Sequence, residues 1–577
     1  MILQALTEYY QTLADSGKIS PLGWGLVKVA FALCIEADGR LTQVISVREE
    51  QKKGNKTALM PQLMTLPAPV KRASGVAANF LCDTSGYLLG VDGKGKPQRS
   101  LECFQASKEL HRALLGHVNS PAARAVLAFY DTWEPKLAAG HPALVDCWEE
   151  ILAGGNLVFW YDGAYVQQDP SVRQAWDSHY QTVEEGPAMV CLVTGERGPV
   201  ESVHPAIKNV QGAQSSGAAL VSFNAPAFCS YGKEQNYNAP TSKYAAFAYT
   251  TALNHLLADR EHVWRMGDAT VVCWARCGGD AYQNLLGWAL FGREPSYSLA
   301  DLQAALRDLC AGKAVELDYG RLDPNMDFYI LGLSPNAARL SVRFFLHNRF
   351  GEFLRHVQAH QHRLEIVKPA YDKFETLPVW KLLDETVNQN SRDKKPAPNL
   401  AGEVLRAILN DTRYPATLLN GVVLRIRAEH TVTRGRAAII KSYYLKNVHP
   451  DVPKEVLTVS LNPESTNVPY NLGRLFAVLE AIQSAANPGI NTTIRDKFFN
   501  SASATPALVF PSLLNLAQKH LKKLDTGLRT FYEKQLTALL TKLGEAYPTR
   551  LNLPQQGSFQ LGYYHQLQAR YEKKEEK

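Results

Sequence analysis

At 577 residues with 46% hydrophobic side chains, the chain exceeds one ordinary hydrophobic core and should fold into two or three globular domains, which excludes a disordered protein. The formal net charge of +7 is modest but unevenly placed: from Ala401 onward 23 Lys and Arg stand against 14 Asp and Glu, leaving the first 400 residues with 39 against 41. No run of about 18 apolar residues occurs, and MILQALTEYYQTLADSG lacks a basic start and a long apolar stretch, so a cytoplasmic chain with no membrane partner is expected.

Residues 2 to 15 read as an amphipathic helix, with Ile2, Leu6, Tyr9 and Leu13 at helical spacing. The period then changes. Segment 27 to 47 holds two β-rich runs joined through Asp38-Gly39, a hairpin signal. Further strands are expected at 78–83, 87–92, 156–163, 188–196, 270–275, 328–333 and 340–346, with helices at 106–116, 121–132, 243–258 and 300–310. NQNSRDKKPAPN (388–399) is polar, charged and proline-bearing, hence the linker candidate. From Leu400 the apolar spacing is helical throughout, with Asn487-Pro488-Gly489 closing one element and Pro511-Ser512 opening another. The fold class is therefore α+β: a mixed α/β N-terminal domain over 1–390, then an all-α C-terminal helical bundle over 391–577.

The segment from His204 to Asn254 departs from core composition. Its 51 residues carry five Asn, three Gln, five Ser, three Gly and three Lys, with Glu234 the only acid and no arginine. Amides and hydroxyls donate and accept together, as base edges and sugars require, and glycine admits close backbone approach. The same composition also suits a long loop that satisfies its own backbone.

Catalytic signals are weak. Glu316 with Asp318, Asp323 with Asp327, and Asp384 with Glu385 could pair carboxylates on a divalent ion, but none sits in a nuclease pattern. There is no GxxxxGK[ST] loop, and GAQSSG (212–217) is not a nucleophile elbow. The nine cysteines are scattered singly apart from Cys273 and Cys277, whose CxxxC has no second pair or nearby histidine, so free thiols and no metal or cofactor are expected. We expect no catalytic activity.

Binding is the better class. Arg425, Arg427, Arg434, Arg436, Lys441 and Lys446 lie together against Glu429 alone, interleaved with Ile439, Ile440, Tyr443 and Tyr444; they could face a nucleic-acid backbone or be a solvated helical face.

The run IKNVQGAQSSGAALVSFN (207–224), followed by SYGKEQNYNAP (230–240) and YTTALNHLL (249–257), resembles the signature of the large subunit of type I-C CRISPR Cascade, an RNA-guided surveillance complex. VKRASGVAANFLCDTSGYLLG (70–90), FYILGLSPNAARLSVRFF (328–345), YPATLLNGVVLRIRAE (414–429) and FQLGYYHQ (559–566) resemble further blocks in the family's order.

The resemblance implies a subunit that recognises the protospacer-adjacent motif (PAM) in double-stranded DNA, promotes duplex opening, holds the displaced strand of the R-loop and licenses a separate helicase-nuclease. The implied partners are a guide crRNA, backbone and foot subunits, and a small helical subunit that could arise by internal translation of the same gene. No methionine lies in the bundle, so a start near 440–460 would use a non-AUG codon, with Val448, Val452 and Val456 as candidates. Degenerate minor-groove readout suits amides, lysine and glycine, whereas a major-groove reader of G more often uses arginine. The expected PAM contacts are Lys208, Asn209, Gln211, Gly212, Gln214, Ser215 and Ser216, with Asn224, Tyr231, Lys233, Gln235, Asn236 and Asn238 nearby. Gln211, Gln214 and Tyr231 are candidate strand-separating wedges. Lys71, Arg72, Ser74 and Asn79 are candidate DNA contacts, and Arg343 and Arg349 candidate contacts to RNA or a neighbouring subunit. The alternative reading is an autonomous single-strand nucleic-acid binder or RNA-processing factor, dominated by the basic C-terminal face.

Overall fold

The computed structural model describes residues 1–53, 56–70, 75–91, 93, 95–182, 187–259, 261–293, 298–317, 320–397 and 399–570. The chain forms two compact units, one built from residues 3–205 and 222–252, the other from 206–221 and 253 onward.

The first unit is organised on strand Trp24–Ile35. Along one edge it pairs antiparallel first with Gln62–Pro67 and then with Leu41–Ser46; along the other it pairs parallel with Asn156–Tyr161, which carries the short Cys82–Asp83 beyond it. Residues 29–33 read as an unbroken apolar run because both faces are covered there. Phe31 and Leu33 face a core with Leu115, Val126 and Phe129, whereas Val29 and Ala32 face Leu66, Cys82 and Val158. The hairpin expected through Asp38-Gly39 forms, with Gly39 at φ +85° and only 2.2 Å from the Ala128 carbonyl carbon to where a Cβ would stand. Helices Ile2–Asp15 and Pro121–Thr132 match their expected spans, and Pro97–Leu115 starts nine residues before its expected start.

Two expected strands change character. Residues 85–88 form a helical turn, with the Tyr87 N–H bonded to Thr84 O at 3.0 Å, so the apolar Tyr87, Leu88 and Leu89 are buried by a turn rather than by strand alternation. A short apolar run does not distinguish the two. Within 188–196 only Ala188–Val190 is extended, paired with Arg197–Pro199. The Cys191 thiol sulfur accepts backbone N–H bonds from Ser242 at 3.2 Å and Val193 at 3.4 Å, tying this hairpin to the segment that begins helix Lys243–Ala258.

The second unit holds an antiparallel sheet in the order Val263–Met266, Ala269–Ala275, Asp327–Asn336, Arg339–Arg349. Helices Asp280–Phe291, Leu299–Cys310 and Phe350–Leu364 contribute to its core. Among the described residues no strand follows Arg349, and eight α-helices run from Leu400–Leu409 to Leu553–Ala569. The chain is α+β, sheet-bearing first and helical last. Pro511 sits inside helix Pro506–Leu521, not at a helix start; Pro506 occupies the first position, where a missing N–H costs nothing. One apolar cluster runs from Met266 through Phe328, Phe344, Val404 and Leu475 to Tyr564, so packing is continuous across residues 388–399 and the expected 390/391 boundary lies within the second unit.

Candidate nucleic-acid interface

Residues 206–221 form a loop whose backbone is held at five points within the second unit. Ile207 and Ala218 exchange N–H···O bonds of 2.9 and 2.8 Å, closing its neck. Ala219 donates to Ala338 O at 3.0 Å and accepts from Leu340 N–H at 2.9 Å, adding the loop to the edge of strand Arg339–Arg349. The Asn254 amide donates to Ala206 O at 3.0 Å and accepts from the Lys208 N–H at 2.8 Å; the Gln211 N–H donates to Thr270 Oγ1 at 3.0 Å. Ile207, Val210 and Ala218 are buried as anchors.

The anchoring decides what faces outward. Lys208, Asn209, Gln211, Gly212, Gln214, Ser215 and Ser216 are all exposed. Among the described residues no side chain of Lys208, Asn209, Gln211, Gln214, Ser215 or Ser216 has a hydrogen-bond or ion-pair partner. Asn209 holds a left-handed φ of +65°, a conformation asparagine tolerates better than most residues. The loop is thus a fixed backbone presenting unengaged amides, hydroxyls and one ammonium, without an acid.

The companion segment 222–252 belongs to the first unit. Asn224, Tyr231, Lys233 and Gln235 are exposed there. Asn236 and Asn238 are not available as expected. Asn236 is 2% exposed, and Asn238 spends its amide on the Ser230 N–H and on the Lys233 and Gln235 carbonyls, at 2.8, 3.0 and 2.9 Å. His204 is buried with Nδ1 2.7 Å from Tyr249 Oη, and burial lowers its pKa to about 4.

Lys71, Arg72 and Ser74 lie outside the described residues. Asn79 is half-buried and acts on its own loop, accepting the Val70 N–H at 3.0 Å while its N–H donates to Asp83 at 2.9 Å. Arg343 pairs with Asp268, and Arg349 donates to Asn325 at 3.2 Å.

The basic cluster is turned largely inward, which corrects the phosphate-facing expectation. Arg436 is 3% exposed between Glu385 and Glu429, and Lys441 is 3% exposed with its ammonium on Arg363 O at 3.1 Å. Arg434 binds Asp372 at 3.0 Å and the Phe374 and Glu375 carbonyls. Arg427 donates to Gln556 at 2.9 Å, Lys446 pairs with Asp411 at 2.7 Å, and Arg425 lies 3.6 Å from Glu429. Phosphates would have to displace these partners, and cannot reach Arg436 or Lys441 without opening the core. The cluster misled because sequence counts Glu429 alone nearby, whereas Asp372, Glu385 and Asp411 arrive from distant elements.

Two of the paired acids are similarly committed. Asp327 lies 3.1 Å from both Arg276 and His347, and Glu385 serves Arg436 and Thr433; Asp318 lies outside the described residues. Among the described residues no cluster of three His, Cys, Asp or Glu side chains is placed to hold a metal, no helix is long and apolar enough to cross a membrane, and all nine cysteines are free thiols.

A family model described as CRISPR-associated protein (Cas_Csd1) matches residues 6–571, nearly the whole chain. The chain belongs to the CRISPR-associated Csd1 family. Membership bears out the resemblance drawn from the blocks at 70–90, 207–257, 328–345, 414–429 and 559–566. No curated protein matches the chain. In this Csd1 chain the residues that sequence reasoning missed are Asn254 and Thr270, which hold the loop from behind. Asn254 stands in the YTTALNHLL block, and a lone amide late in an otherwise apolar helix was the signal.

Proposed function

We propose that this Csd1 chain is the non-catalytic large subunit of an RNA-guided type I-C Cascade. It reads the PAM flanking the target in double-stranded DNA, promotes opening of the duplex, helps hold the R-loop and licenses a separate helicase-nuclease. Its partners are the guide crRNA, the backbone and foot subunits, and a small helical subunit that the helices from Leu400 resemble.

One observation carries the reading: the five-point anchoring of loop 206–221, which leaves six polar side chains unengaged and pre-positioned. Guide pairing supplies specificity over the target, so the protein needs to read only a few flanking pairs. A donor-and-acceptor set without arginine fits the degenerate minor groove, and Lys208 supplies a single phosphate contact. The autonomous single-strand binder loses its main support, because the basic C-terminal face it requires is occupied by Asp372, Glu385, Asp411 and Glu429.

The test is binding of the assembled, guide-loaded complex to duplexes carrying a matched target and randomised flanking bases. Wild type should select a flanking motif, and Lys208→Ala with Gln214→Ala should lose that selection while every subunit remains bound. A complex that falls apart in the double variant would make the loop a docking element. One that binds every flank equally in wild-type form would sink the reading.

A further inference from the structure

Tyr231 is 99% exposed, above every other large hydrophobic or aromatic side chain among the described residues. Its backbone is also out of the ordinary. The turn Ser230–Lys233 is closed by a Lys233 N–H···O Ser230 bond of 3.0 Å, with φ of +53° at Tyr231 and +66° at Gly232. Positive φ at both central positions is the requirement of a type I′ turn, which favours Asn, Asp or Gly at the place Tyr231 occupies. Another exposed tyrosine, Tyr371 at 85%, keeps a negative φ.

The turn is braced from behind. Asn238 takes the Ser230 N–H on Oδ1 and gives its two amide hydrogens to the Lys233 and Gln235 carbonyls, so one side chain fixes both ends of the turn. Asn236, buried and bonded through its N–H to Ser202 O at 3.3 Å, roots the segment in the unit. The chain therefore accepts backbone strain and forgoes burial of a large ring in order to stand that ring in solvent on a braced turn. Strain retained this way points to a use.

Ser230, Gly232, Lys233, Glu234 and Gln235, which flank the ring in sequence, are all exposed and none carries a large apolar side chain, which does not suit a hydrophobic docking patch for protein. The Lys233 ammonium, two residues on, has no hydrogen-bond or ion-pair partner among the described residues. An aromatic plane beside an unengaged ammonium suits a nucleotide: the base stacks and the phosphate pairs. We infer that Tyr231 is a stacking platform for an unpaired DNA base, with Asn238 as the residue that positions it. This rests on the nucleic-acid reading above and assigns the role of one side chain within it.

The experiment uses the assembled, guide-loaded complex and target duplexes in which single abasic nucleotides are moved across the flanking and first target positions of each strand. Tyr231→Phe should bind as wild type does, and Tyr231→Ala roughly tenfold more weakly. One abasic position should weaken wild type by a similar factor yet add nothing to Tyr231→Ala, because the partner of the missing base is already gone. Asn238→Ala should show the same loss, non-additive with Tyr231→Ala, at an unchanged subunit composition and thermal midpoint. Wild-type affinity for Tyr231→Ala at every position overturns the assignment. So does loss of a subunit in Tyr231→Ala but not in Tyr231→Phe, which would place the ring against protein. A wild-type complex indifferent to flanking bases overturns the functional reading itself; one that reads them beside an unaffected Tyr231→Ala overturns only the tyrosine's role.

Discussion

Asn254 holds Lys208 by the backbone, not by the side chain: its Oδ1 takes the Lys208 N–H at 2.8 Å while its Nδ2 gives to Ala206 O at 3.0 Å. A rigid helix thereby sets the entry of the loop, and the lysine ammonium is left free. Asn254→Ala removes both bonds, each contributing on the order of 1 kcal/mol. Because the loop is exposed, the thermal midpoint should move little while flanking-motif selection by the assembled complex falls several-fold. Asn254→Asp keeps the acceptor for Lys208 but loses the donor, and should fall between. Equal selection by all three proteins would show that the loop's shape does not matter to reading.

Lys208 itself should contribute charge rather than shape. Lys208→Ala is expected to lower the slope of log K against log salt by about 1, as follows when one fewer phosphate is neutralised. Titrating DNA into the complex across a range of salt concentrations measures this directly; an unchanged slope would remove the lysine from the interface.

Arg436 provides the opposite case. It is buried between Glu385 and Glu429, and removing one member of such a cluster leaves charge uncompensated, a loss of roughly 3–5 kcal/mol. Arg436→Ala should therefore unfold at markedly lower urea than wild type. At temperatures where it stays folded, its salt slope for DNA should be unchanged. A reduced slope in a stable Arg436→Ala protein would reinstate the cluster as a phosphate-binding face.

These contrasts mark what the sequence could carry. Periodicity located the helices Ile2–Asp15, Pro121–Thr132 and Lys243–Ala258 because each has a clear apolar stripe or punctuation, and composition singled out residues 204–254, which contain the exposed polar loop 206–221, because the makeup there is far from that of a core. Periodicity read a strand at 87–92 where the chain makes a helical turn at 85–88, since the short apolar run Tyr87-Leu88-Leu89 fits either. Nor could it see that Arg425 to Lys446 is neutralised, because Asp372, Glu385 and Asp411 become neighbours only on folding. Asn236 and Asn238 looked like Lys208 and Gln214 in composition; what separates them is which way each amide faces, and that is fixed by turn geometry.

Helices Val468–Ala486 and Leu553–Ala569 meet through glycines. A Cβ on Gly473 would stand 1.9 Å from Phe559 O, and one on Gly562 2.0 Å from Tyr470 O, so backbone packs directly on backbone. Either glycine replaced by alanine forces the helices apart along a face that also carries Phe476 and Tyr563, and overpacking of this kind costs typically about 1–3 kcal/mol or more. Gly544→Ala, where a Cβ meets nothing within 4 Å but φ is +72°, is the control for backbone strain alone. Thermal unfolding should rank Gly473→Ala well below Gly544→Ala; similar midpoints would mean that the helix pair adjusts without loss.

Acid should destabilise the chain before its carboxylates titrate. His204, His360 and His565 each set Nδ1 against a buried tyrosine hydroxyl, from Tyr249, Tyr414 and Tyr470, at 2.7, 2.5 and 2.9 Å. In all three Nε2 is buried without a partner, so a second proton would create an imidazolium with nothing to receive it. Burial lowers their pKa values from 6.5 to about 4, 3 and 3. Below pH 6.5 the unfolded chain takes up these protons and the native chain does not, so stability is full above pH 6.5 and declines as pH falls toward 4. Urea midpoints measured from about pH 7.5 to about pH 5 should drop steadily on the acid side. In His565→Gln the drop should be shallower by one proton's worth of linkage, even though that protein is less stable at about pH 7.5. A flat profile across this range would mean that these histidines are protonated in the native fold.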